Sequence, residues 1–227
     1  ATPLRFKDIL ASFQAVVGSK LFWLVGLAHS TAFLARSSDR VLGSFFLDAT
    51  HLPREICGGL TASVTIGFLL GLRNAGRFTK LQGNTKGQIG MLRGHYWQTF
   101  VSCIALAVLA NHRIASMLFP SGGLLAAAIF ALTAYLSANL SFQFYHIPAM
   151  VATAFGKNRA VCLSFMDGLG FFLSAPAWAA TGMLVKATGE YGWTCAWGML
   201  AILFGAGSML MLSQMPSLLD GQDGKKK

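Results

Sequence analysis

The side chains best placed to do chemistry sit inside one apolar stretch, Leu21 to Leu47, which reads LFWLVGLAHSTAFLARSSDRVLGSFFL. Its first fourteen residues, Leu21 to Leu34, carry only His29, Ser30 and Thr31 as polar side chains; Arg36, Asp39 and Arg40 then arrive and an apolar run resumes. The stretch is long enough to cross a bilayer, which takes about 20 mostly apolar residues. A charge at the bilayer centre costs at least about 2.5 kcal/mol, so such a residue must face protein or a wet cavity. On a helix, Arg36 and Arg40 are four apart, Asp39 is three after Arg36 and His29 is seven before it, which puts all four on one face.

Two guanidinium groups and one carboxylate leave that face with an excess of one positive charge. An anion could complete it, since guanidinium offers a rigid fork of donors that matches phosphate and stays charged. The same residues also admit a structural role, in which Arg36 and Asp39 pair internally and Arg40 snorkels to a headgroup. His29 is either a group titrating near neutral pH or a hydrogen-bonded structural histidine. Asp167, in a later apolar segment, is the other acid expected within a span. It is either a second partner or proton carrier for the same cavity, or a carboxylate near a helix end facing headgroups.

Composition sets the class. Charged residues make up 11% of the chain, against about 25% in soluble domains. Hydrophobic residues make up 54%, and mean hydropathy is +0.56. These values imply an all-α polytopic membrane protein. Cys57, Cys103, Cys162 and Cys195 are scattered, with no CxxC or Cys/His cluster. They point to packing and away from a zinc site or disulfide frame. No cofactor is implied. The absence of HExxH, of a Ser/His/Asp spacing and of paired carboxylates argues against an enzyme. Residues 1–20 lack the continuous apolar core of a secretory signal. The start at Ala1 is read as the mark of upstream removal or of a longer chain.

Six spans are expected within a domain covering 21–213. A short amphipathic lead-in, 1–20, precedes it and a polar basic tail, 214–227, follows. The spans are placed at 21–47, 56–72, 95–111, 122–147, 161–185 and 194–213. Gly59, Ser63, Gly67 and Gly71 form a small-residue stripe on the second, and Gly123, Ala127 and Ala131 one on the fourth, each suited to close helix approach. Residues 73–94 read as a polar, basic loop. Tyr96 and Trp97 read as interfacial anchors. Gly168, Gly170 and Pro176 suggest that the fifth helix bends.

With six spans both termini share a side. Thirteen of the eighteen Lys and Arg residues fall on that side, three fall opposite, and Arg36 and Arg40 lie within the first span. By the positive-inside rule the termini are cytoplasmic, or on the equivalent side of an organelle membrane. The same distribution explains the +10 net charge without nucleic acid.

The six spans resemble the C-terminal half of a major facilitator superfamily transporter. The resemblance rests on GLRNAGRFTKL at Gly71 to Leu81, a degraded glycine-and-arginine loop lacking the usual acid. It rests also on residues 156–200, where a short basic loop, a glycine- and alanine-rich helix, a YGW turn and an apolar helix follow in order. Within the superfamily, AHSTAFLAR at Ala28 to Arg36 is similar to the organophosphate:phosphate antiporters. It keeps the alanine and arginine of their pattern but not the Asp-Trp pair that follows. The resemblance implies that Arg36 binds substrate phosphate. It also implies that substrate sits between two halves that rock against each other. One half alone leaves three possibilities: a portion of a longer transporter, a half that pairs with a second copy or a separate six-helix chain, or a transporter-derived structural subunit of a larger membrane complex. The expected partners are therefore the lipid bilayer, that second half or complex, and a small anionic substrate.

Overall fold

The structure, a computed structural model, describes residues 6–223, and the described residues form an all-helical bundle. The helices are α1 (Phe6–Val17), α2 (Lys20–Arg36), α3 (Asp39–Thr50), α4 (Arg54–Leu60), α5 (Ala62–Gly71), α6 (Arg73–Lys80), α7 (Thr85–Leu109), α8 (His112–Leu118), α9 (Gly122–Ala154), α10 (Arg159–Thr188) and α11 (Gly192–Asp223). Three stretches are each long and apolar enough to cross a membrane: Arg54–Lys80, Gly122–Ala154 and Gly156–Leu219. Two bent pairs bring the number to five: residues 9–17 with α2, meeting at 78°, and α7 with α8, meeting at 94°. The third stretch is a hairpin of α10 and α11. A Cβ on Gly192 would lie 2.6 Å from the Val185 Cα, although residues seven apart in a straight helix are separated by about 10 Å. Gly189, at φ 57°, makes the reversal.

The helix pairings have a direction. Gly26 meets Leu169, Phe33 meets Phe171 and Ser37 meets Trp178, so α2 and α10 run parallel. Gly67 packs on the Ala134 backbone and Gly71 on that of Ala138, so α5 and α9 also run parallel. α9 starts against Thr50 and ends beside Gln88 and Arg159, and so traverses the bundle. At one end gather the connections around 48–53, 111–113 and 189–193, tied by Trp193 Nε1 to Asp48 (2.7 Å) and Arg113 to Glu190 (3.6 Å). The interior is apolar, built around Phe22, Phe45, Phe46, Phe142, Phe204 and Ile129.

The small-residue stripe works as a contact, with two revisions. Ser63, Gly67 and Gly71 face α9, where Ser63 accepts from the Thr133 hydroxyl at 2.8 Å and Ser141 donates to the Phe68 carbonyl at 3.1 Å. Gly59 faces open space. The row on α9 that receives them is Ala134, Ser137, Ala138 and Ser141. Gly123, Ala127 and Ala131 lie on the outer face instead.

Several boundaries move. Residues 73–94 are mostly helix, α6 and the first turns of α7, because Arg, Lys and Gln sustain a helix well. The true break is residues 81–84, where Gly83 takes φ 85° and Asn84 caps α7 through the Gly87 N–H at 2.9 Å. Tyr96 is buried against Phe204, and only Trp97 is exposed. α10 stays one helix through Pro176. The tail is helical as far as Asp223, since Met215, Leu218 and Leu219 pack into the core. Residues 224–227 and 1–5 lie outside the described part; the rest of the lead-in is α1.

Candidate functional site: a charged and aromatic cavity

The stretch Leu21 to Leu47 is not one helix. α2 ends at Arg36 and α3 begins at Asp39, with Ser37 and Ser38 between. Ser37 is buried; its hydroxyl donates to the Leu34 carbonyl at 3.0 Å and accepts from Trp178 Nε1 on α10 at 2.7 Å. Arg40 and Val41 then turn back their N–H groups onto the Ser37 and Ser38 carbonyls. Serine hydroxyls compete for backbone groups in this way and weaken a continuous helix. The break corrects the expectation that His29, Arg36, Asp39 and Arg40 share one face of one helix.

Arg36 therefore closes one helix and Asp39 opens the next. Each charge suits the helix dipole at its position, and the two pair directly, Arg36 Nη1 to Asp39 Oδ2 at 2.6 Å. The Arg36 guanidinium also lies 4.5 Å from the Phe68 ring centroid, a cation–π contact. Arg40 is exposed, and its guanidinium has no hydrogen bond or ion pair among the described residues.

Tertiary packing reunites the predicted residues. A cavity of about 310 Å³ is lined by Arg36, Asp39, Arg40 and Asp167 together with Ser37, Phe33, Phe144, Tyr145 and Phe171. Asp167 is half exposed, at 49%, and Oδ1 points at Nε2 of buried His29 at 3.5 Å. That is ion-pair distance; His29 Nε2 has no hydrogen-bond partner among the described residues. Asp167 thus faces the cavity, and four of the five predicted residues line it; the fifth, His29, is buried behind Asp167 and does not line it. By helix rise, Asp167 is about 12 Å and Arg36 about 24 Å along their helices from the starts of α10 and α2, well inside the bundle.

The charge count changes as a result. Arg36 and Arg40 are offset by Asp39 and Asp167, so the cavity is formally neutral, not positive by one. Asp167 is 128 residues beyond Asp39 in sequence, and only the parallel packing of α2 on α10 brings it in. The aromatic wall and Trp178 were not anticipated either. A signal existed in FQFYH, Phe142 to His146, where polar and aromatic residues interrupt an apolar span.

No protein family, curated protein or solved structure matches this chain. Fold and site together define a helical protein of membrane type, with a charged, ring-lined cleft open on one flank.

Proposed function

We propose that this chain is one six-crossing half of a secondary membrane transporter for a small organic anion, phosphorylated for preference. The crossings in this reading are α2 with α3, α4 with α5, then α7, α9, α10 and α11, with both termini on the cytoplasmic or equivalent side. The observation that carries it is the open charged flank. Arg36, Asp39 and Asp167 are 29%, 37% and 49% exposed in mid-bundle, with Arg40 free beside them. Charges at such a depth cannot face lipid cheaply. A second half, or a second copy, that encloses a wet cavity against this flank satisfies them, as in transporters that hold substrate between two halves.

Arg40 is the first ligand in this scheme because it is unpaired. Arg36 contributes its remaining donors, and Asp39 holds it while the site is empty. Binding of a phosphorylated compound to the complete assembly tests this. Arg36→Lys keeps the charge but loses the fork, and Arg36→Ala and Arg40→Ala should each weaken binding by tenfold or more, about 1.4 kcal/mol. Unchanged binding and transport in both alanine variants would remove the site.

The Arg36–Asp39 pair and its Phe68 contact favour a second reading, a transporter-derived structural subunit whose cluster is a closed salt bridge. The native mass of the complex in mild detergent separates the two. One or two copies, or this chain with one six-helix partner, fit a transporter; many hundreds of kilodaltons of unrelated subunits fit the structural role.

A further inference from the structure

The cavity read above as an anion site has a second chemical character, which lies in Asp167 and the rings around it. We infer that its ligand is a zwitterion, a phosphate ester of an amino alcohol, with the anionic group at Arg40 and the cationic group between Asp167 and the aromatic wall. The inference rests on the transporter reading for its anionic end only.

Three observations support the cationic end. First, the cavity holds charges of both signs, two guanidinium groups and two carboxylates, so a ligand that carries both signs has a partner for each. A bare phosphate would meet Asp167 as an unpaired carboxylate. Second, Asp167 has no cation partner among the described residues apart from His29 at 3.5 Å, and half its side chain is open to the cavity side. Third, Phe33, Phe144, Tyr145 and Phe171 line the same space. Their planes are inclined by 66° between Phe33 and Phe171, 54° between Phe33 and Phe144, and 86° between Phe144 and Tyr145. These rings share the cavity with the Asp167 carboxylate, and an aromatic face attracts a substituted ammonium held within about 6 Å of its centroid. The chain already uses this device beside the cavity, where Phe68 takes the Arg36 guanidinium. A volume of about 310 Å³ is at the small end for ligand pockets, which suits a compact zwitterion.

The experiment is a binding comparison on the full chain in lipid nanodiscs, using phosphocholine, inorganic phosphate and choline as probes. Phosphocholine should bind about tenfold more tightly than either probe of one sign, since its cationic end adds a ring-and-carboxylate contact that phosphate lacks and its anionic end adds an arginine contact that choline lacks. Asp167→Asn should abolish the advantage over phosphate and leave phosphate binding equal or stronger. Arg40→Gln should abolish the advantage over choline. Nanodiscs with and without phosphatidylcholine distinguish a free ligand from a lipid headgroup: competition by the lipid identifies the headgroup as the source of the same chemistry. Equal affinity for phosphate and phosphocholine in the wild-type chain would overturn the zwitterion and leave the anion site standing, and needs no variant to fold. Failure of all three probes to bind a chain that still melts cooperatively would overturn both.

Discussion

Trp178 on α10 donates its indole N–H to the buried hydroxyl of Ser37 at 2.7 Å, at the point where α2 gives way to α3. The two are 141 residues apart in sequence. That bond fixes the break, and the break sets Arg36 and Asp39 at adjoining helix ends. Trp178→Phe keeps most of the ring and loses the donor. It should lower stability by about 1 kcal/mol, the net worth of one hydrogen bond. Ser37→Ala should do the same, and the double variant should cost little more than either alone. Thermal melting in one detergent measures all three; additive losses would mean that the two side chains act separately.

Asp39 competes with any ligand for Arg36. Asp39→Asn should therefore raise phosphate affinity several-fold, because it releases a charge-assisted partner. A loss of affinity equal to that of Arg40→Gln would instead make Asp39 a positioning group. Titration calorimetry on the two variants tells the cases apart.

The α5–α9 contact leaves no room at Gly67, where an added Cβ would collide with the Ala134 carbonyl and Ser137. Gly67→Ala should destabilise by about 2 kcal/mol through overpacking. Gly59→Ala, with nothing within 4 Å, should be neutral or slightly stabilising. If both variants melt alike, the close approach of the two helices is wrong.

Met215, Leu218 and Leu219 bury the end of α11. Removal of 214–227 should accordingly lower the melting temperature. Met215→Ala alone should cost about 2–5 kcal/mol, the range for truncating a fully buried side chain. A dispensable tail would leave both measurements unchanged.

Cys57, Cys103 and Cys162 are buried and Cys195 is exposed, near the end that gathers Trp193 and Asp48. A membrane-impermeant maleimide should label the folded chain once, at Cys195. In sealed vesicles it should do so only from the side opposite the termini. Labelling from the side of the termini would overturn the proposed orientation.

Composition alone determined the chemical class. A chain rich in Leu, Ala, Phe and Gly with few charges has to satisfy every backbone group internally, and apolar runs of about 20 residues do so as helices and not as the shorter strands of a barrel. The charges of Arg36, Asp39 and Arg40 marked the site because an ionised group is costly in such surroundings wherever it lies. Local patterning placed most helices near their observed positions. It failed at 73–94, read as a loop although all but 81–84 is helix, and at 214–223, read as a polar tail although α11 continues through it. It failed also at Ser37–Ser38, where the deciding bond comes from Trp178. The neutral charge of the cavity, its ring wall and the meeting of His29 with Asp167 depend on which helices lie side by side. Packing between parallel helices far apart in the chain decides that, and periodicity within one helix carries no record of which neighbour it will meet.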